Sequence, residues 1–460
     1  MYYLLLLIAY SLAQVALGIW IGRRVRTARD FFVAGRSLGP GLIFSTMLAA
    51  NIGAGSTVGA AALGYADGLS AVWWVGSAAI GSVVLALWIG PAMRRAAAAH
   101  DLRTVGDFLE FRFGVEVHTA IAALLCVGAV FIMAGQLIAI ATILSVVVGL
   151  PWAAGCLLGG ALITIYFTAG GLLTSAWVNV VQLVVKMAGF AIALPLALAG
   201  VGGWGPVAAL QPHPDYWNVW SGGQSGLIYL AVLGPAFIVS PGLLQKIYGA
   251  RDDRAVRVGV GLNALCLALY AMVPVVLGMI ARVQFPTLAS AQDALPMVLI
   301  YGVPAVVGAI GLAAVFSAEL SAADAALFMV TTSLSQDFYK RFVHPGATEA
   351  EMLRLTRVTA VTAGMLGVAV ALVAASVITA LTIFYTLMSV GLFVPLLGGL
   401  YVRRAGSAAA MSAIVAGVGT AAIRHFVFGG ATLGGLTPAM AGLAAAVVVF
   451  LALLPIRRTS

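Results

Sequence analysis

The stretch Ala49-Ala50-Asn51-Ile52-Gly53-Ala54-Gly55-Ser56-Thr57 falls in the middle of a long apolar run. An uninterrupted membrane-spanning helix would carry aliphatic residues at that depth. Here Asn51, Ser56 and Thr57 bring polar atoms, and Gly53 and Gly55 weaken the helix. A second apolar run contains Gly234-Pro235-Ala236-Phe237-Ile238-Val239-Ser240-Pro241-Gly242, in which each proline removes a backbone donor. Taken singly, glycines of this kind also serve close helix packing and prolines only kink. Together, two interrupted spans lying five apart are the pattern of inverted five-helix repeats, with the binding site at the breaks. Freed carbonyls there hold a cation, and half-helix N-termini hold an anion.

The rest of the chain agrees with a membrane setting. Of 460 residues, 62% are hydrophobic and only 8% charged, against about 25% charge in an ordinary soluble domain. About thirteen helical spans can be read, near 2–22, 40–66, 69–92, 119–149, 151–169, 174–199, 225–248, 256–281, 303–336, 357–378, 380–401, 406–427 and 436–455. The expectation is an all-α polytopic membrane protein forming a single membrane domain, 1–460. A leading helix (2–22) precedes a first five-helix repeat (40–199). An inverted second repeat (225–401) and two peripheral helices (406–455) follow.

Alternate loops hold twenty-one of the 24 basic residues, from Arg23 to Arg458, while the other set holds only Arg282 and Arg424. The positive-inside rule then places the N-terminus outside and the C-terminus in the cytoplasm, in an inner or plasma membrane. The net charge of +9 is thus a topology signal, and no nucleic-acid partner is expected. Met1 to Gly22 lacks a basic n-region and reads as a retained span. The loop 200–224 has no basic residue and several aromatics, which suits an external, interface-lying segment; Trp73 and Trp74 read as interface anchors. Cys126, Cys156 and Cys266 lie in spans and imply no disulfide framework. There is no HExxH motif, and the five histidines fall in loops or at span ends, so no enzyme and no cofactor are expected.

Three charged side chains fall deep in apolar spans: Lys186, Glu319 and Asp324. A charge there costs ~2.5–3.5 kcal/mol on insertion scales and marks a partner, a cavity or an ion path. At 1.5 Å per residue, Lys186 lies ~18 Å, Glu319 ~20 Å and Asp324 ~14 Å from the cytoplasmic ends of their spans. Lys186 and Glu319 therefore share a depth, and Asp324 sits nearer Asn179, seven residues before Lys186 on the same helix face. The triplet sums to −1, so a proton or a cation is expected to balance it. A salt bridge that only fixes helix register is the plainer reading of Lys186 and Glu319. Solute contacts are expected from Asn51 and Ser56 at the first break and Phe237 and Ser240 at the second. Gln136 and Tyr385 follow, both residues that also suit interhelical packing.

Several motifs resemble the sodium:solute symporter family. Asp30-Phe31-Phe32-Val33-Ala34-Gly35-Arg36-Ser37-Leu38-Gly39 looks like its loop before the first core helix, and Ala49-x-Asn51-Ile52 like its unwound segment. Tyr166-x-x-x-Gly170-Gly171 and Trp177-x-x-Val180-x-Gln182 are similar to its fourth and fifth core helices. Pro241-x-x-Leu244-Gln245-Lys246 resembles the end of the sixth, and Ser321-Ala322-Ala323-Asp324 with Asp337-Phe338-Tyr339-Lys340 the eighth. The resemblance implies the leucine-transporter (LeuT) fold. It also implies a sodium site built on the carbonyls of Ala49, Ile52 and Ala318 and the hydroxyl of Ser321. A second hydroxyl of that site maps to Ala322, which has none, and a family aspartate maps to Asn179.

The function expected is a cation-coupled secondary active symporter, sodium-driven, importing a small organic solute by alternating access. Two alternatives stand beside it. One is a proton-coupled or sodium-independent transporter in which Lys186 replaces the sodium. The other is a transporter-like sensor, a transceptor. Sodium or protons, the solute and the lipid bilayer are the expected partners of a monomer.

Overall fold

The computed structural model describes residues 2–22, 34–168, 171–220, 226–374, 376–430, 432 and 435–454. Of the motifs above, Asp30–Val33 and Gly170 lie outside these, as do Arg23, Arg24, Arg26, Arg29, Arg457 and Arg458. In chain order the helices are α1 (Tyr2–Gly22), α2 (Pro40–Asn51), α3 (Val58–Asp67), α4 (Val72–Val84), α5 (Gly90–Ala99), α6 (Val105–Phe113) and α7 (Val115–Val148). Then come α8 (Trp152–Phe167), α9 (Gly171–Gly200), α10 (Trp204–Ala208), α11 (Leu227–Val239), α12 (Pro241–Tyr248), α13 (Asp253–Tyr270) and α14 (Met272–Gln284). The chain ends with α15 (Ala294–Tyr301), α16 (Ala305–Thr332), α17 (Glu349–Ala371), α18 (Val377–Leu387), α19 (Phe393–Tyr401), α20 (Ser407–Phe426) and α21 (Pro438–Ala452). Among the described residues nine helical stretches are long and apolar enough to cross a membrane, with three shorter apolar helices beside them.

Both breaks are real and local. α2 stops at Asn51 because Ile52 is extended (φ −97°, ψ 93°) and Gly53 is more so (φ −141°, ψ −157°). One 3₁₀ turn, Ala54–Ser56, leads into α3. The second break sits at Ser240 (φ −52°, ψ 120°), between α11 and α12. The residue before a proline is steered away from the helical region, and Pro241 then opens α12 without losing a needed donor. Pro235, by contrast, stays inside α11.

α16 is the central post, buried from Gly311 to Thr332 and packed against α9 and α7. α2 runs between α9 and α13, and α3 lies on α14. That last contact depends on glycine: a Cβ on Gly278 would come within 2.0 Å of Ala61 O, and one on Gly64 within 2.4 Å of Val275 O. Backbones this close are how helices gain van der Waals contact in lipid.

Basic loop residues gather at one end of the bundle. Arg36 donates to Tyr248 O and Leu102 O and pairs with Asp101. Arg94 reaches Asp253, Arg112 donates to Gly399 O, and Arg341 pairs with Glu110. At this end Asp107 accepts from the backbone N–H of Arg103 and Thr104 to cap α6. Its burial, and the charge of Asp337 beside it, push the Asp107 carboxyl above the usual range.

Candidate ion and solute site

Where α2 unwinds, two carbonyls turn inward, and Lys186 of α9 meets them. Its Nζ lies 3.3 Å from Ala49 O, 3.4 Å from Ile52 O and 2.8 Å from Ser321 Oγ on α16. Ser321 Oγ is also 2.8 Å from Ala49 O and 2.9 Å from Ala318 O. The four groups that the family resemblance assigns to sodium thus form one oxygen cradle, and the cation on it is the ammonium of Lys186. The lysine is fully buried, out of reach of bulk solvent.

Glu319, two residues before Ser321, is the electrostatic partner of Lys186 but not its hydrogen-bond partner. Its Oε1 receives the Thr57 hydroxyl at 2.6 Å, and Thr57 Oγ1 is also 3.0 Å from Gly53 O. Glu319 therefore clamps the far side of the break. Asp324 is bound by the hydroxyl of Ser175, and Asn179 Nδ2 donates to Ser175 Oγ and Thr46 Oγ1, both at 3.2 Å. As expected from depth, Asp324 belongs with Asn179 and Glu319 with Lys186.

One expectation needs correction. Lys246, one of the twenty-one bases that the sequence assigns to loops, is only 2% exposed. It donates to Thr46 Oγ1 at 3.1 Å and takes Asp324 as its electrostatic partner. Around the cradle, among the described residues, the buried charges are thus two lysines and two carboxylates, summing to zero rather than −1, while Asp337, buried as well, lies apart beside Thr104 and His118. The sequence signal for Lys246 was its place barely a turn and a half beyond Pro241 in an eight-residue half-helix, too short to carry it out of the protein.

The solute candidates divide. Asn51, Ser240, Phe237 and Tyr385 line one cavity of about 30 Å³, with the Phe237 and Tyr385 ring centroids 5.0 Å apart. That is room for a water or two. Asn51 Nδ2 donates to Asn263 Oδ1, whose own amide reaches Ser82 Oγ, so the cavity wall is braced from α13 and α4. Ser56 and Gln136 sit apart from the lining. Ser56 donates to Asn51 O at 2.5 Å, and Gln136 Oε1 accepts the Ala54 N–H at 2.8 Å, capping the second half-helix. Trp74 is a second correction: it is 3% exposed and packs on Tyr229 and Tyr385, so it supports the cavity instead of anchoring at the interface. Trp73 does face the loop, donating to Val219 O. Thr46, Ser175 and Asn263 escaped the sequence reading, and Thr57 was read only as a polar residue of the break, because a lone hydroxyl or amide in an apolar span has no pattern of its own.

Comparisons with known proteins bear on the fold and the family. The chain is 27% identical over 392 residues to a high-affinity choline transporter of Drosophila melanogaster, covering 81% of this chain and 62% of that protein. It is 26% identical to the sodium/pantothenate symporter of Escherichia coli, over 89% of this chain and 88% of that one. A Na+-coupled sialic acid symporter, solved substrate-bound and outward-open, superposes with a TM-score of 0.85 at 17% identity, over 99% of this chain and 98% of that one. A nucleobase-cation-symport-1 family transporter in a closed conformation gives 0.61 at 16%, over 93% and 94%. The fold is therefore LeuT-like. The pattern that defines the sodium:solute symporter family matches residues 31–417, and the chain belongs to that family of transport proteins.

Proposed function

We propose that the chain is a cation-coupled secondary transporter of a small organic solute, working by alternating access. One observation carries this beyond family membership. Ala50 and Asn51 line the cavity, while Ala49 and Ile52 on either side give their carbonyls to the cradle that the Lys186 ammonium occupies. A single unwound segment answers both ligands, so occupancy of one biases the other. The reading includes thirteen spans, repeats at 40–199 and 225–401, the N-terminus outside and a monomeric transport unit.

A second reading concerns the ion and is favoured by the contacts of Lys186. With the ammonium on Ala49 O, Ile52 O and Ser321 Oγ, those oxygens are answered without sodium. A diffusible coupling cation then binds after the lysine withdraws, or elsewhere, or the transporter is sodium-independent.

The cavity also speaks to the solute. An anion would need Lys186 or a half-helix N-terminus to reach it, since among the described residues no arginine or lysine lines the space. Lys186 is committed to the cradle, and Gln136 caps the Ala54 N–H. The solute is therefore uncharged or cationic, with an apolar face for Phe237 and Tyr385. Purified protein in liposomes, offered a defined mixture of labelled metabolites with and without a sodium gradient, tests all of this. Accumulation of a non-anionic solute is expected. Accumulation of carboxylates alone would refute the solute assignment, and no accumulation of any kind would refute transport.

A further inference from the structure

On α9 the residues Ser175, Asn179, Gln182 and Lys186 follow one another at helical spacing on a single face. The face looks onto α16, where the Ser317 hydroxyl donates to Gln182 O. Gln182 is fully buried, yet neither its Oε1 nor its Nε2 has a partner, and the Oδ1 of Asn179 has none. Near Lys186 the Oε2 of Glu319 and the hydroxyl of Tyr270, which senses the Glu319 charge, are unpartnered as well. Buried polar atoms are rarely left so, and several together in one place need a ligand that both donates and accepts.

We propose that this face of α9 binds a file of internal water running from the Lys186 cradle to the Ser175–Asp324 pair. The chemistry selects water over a cation. Gln182 Nε2 is a donor, which sodium cannot satisfy. The file also lies between two ammonium groups, Lys186 at one end and Lys246, through Thr46, at the other. Asn179 and Lys186 are ~10.5 Å apart along the axis, a span two or three hydrogen-bonded waters cross. The proposal rests on reading Lys186 as the cradle's resident cation.

A density map of the full chain in nanodiscs, at a resolution that shows water, tests both and separates them. Ordered peaks bridging Gln182 and Asn179, with Lys186 Nζ on its three oxygens, are the expected result. Lys186 in place but the two amides hydrogen-bonded to protein would overturn the file alone. Lys186 outside the cradle would overturn the reading it rests on, and the file with it. A peak ringed only by oxygens, strengthened by sodium, would overturn water in favour of an ion. Backbone hydrogen exchange gives a second readout. Peptides spanning 175–187 are expected to exchange about tenfold more slowly in Gln182→Leu, which removes one link of the file. Val184→Leu, on the exposed side of the helix, leaves the rate unchanged. Equal rates in all three proteins would count against the file.

Discussion

Replacing Lys186 by methionine keeps the length of the side chain and removes the ammonium. The 2.8 Å bond to Ser321 Oγ is charge-assisted, a class worth about 1.5–3 kcal/mol. Ala49 O keeps the Ser321 hydroxyl, so only Ile52 O is newly bare. The larger loss is electrostatic, because Glu319 then stands buried without its compensating charge. Breaking a buried pair in this way costs ~3–5 kcal/mol. Lys186→Met should therefore melt well below the wild type in detergent. Adding Glu319→Gln should recover part of that, with a coupling of ~0.5–3 kcal/mol. The emptied cradle also has four oxygens and no cation. Sodium chloride, set against potassium chloride at equal ionic strength, should stabilise Lys186→Met saturably, by about 1.4 kcal/mol at ten times the dissociation constant. The wild type should show no such response. A saturable, sodium-specific rise in the wild type that Ser321→Ala removes would refute the argument.

Three further outcomes are expected. Gly53→Ala would place a Cβ 2.3 Å from Ala322 Cβ and 2.7 Å from Gln136 Oε1, so the break must shift; a loss of ~1–3 kcal/mol in melting and of uptake should follow. Thr57→Val takes the hydroxyl from Glu319 Oε1 and should cost ~1–3 kcal/mol, whereas Thr57→Ser should melt near the wild type. The Asp107 carboxyl is raised in the folded state, so its contribution to stability declines as pH climbs from the unfolded carboxylate range through the folded value. Asp107→Asn keeps an oxygen for the cap and should flatten that part of the pH–melting curve.

How much was legible follows from what each residue's signal depends on. Long apolar runs and their interruptions are local, so the helices and the break at Asn51–Gly53 could be read directly. Which proline breaks a helix could not be: Pro235 and Pro241 look alike in sequence, but only Pro241 has a residue free to go extended before it. The depth of Lys186 and Glu319 followed from counting along straight helices. Lys246 did not, since its depth depends on how far the short half-helix α12 sits inside the bundle. Trp74 was misplaced for a related reason, whereas Gln136 does make the interhelical hydrogen bond that its residue type suits. An amphipathic side chain suits an interface and an interior equally, and only the crossing of α4, α7 and α11 decides between them.

The cancellation of Lys186 and Lys246 by Glu319 and Asp324 bears on the membrane potential. Moving one elementary charge through 100 mV is worth about 2.3 kcal/mol. A carrier whose four site charges cancel does no such work through them when it reorients empty. Its return step should then run at the same speed in a polarised and a depolarised cell, and any voltage sensitivity of the cycle belongs to the step on which a diffusible cation is aboard.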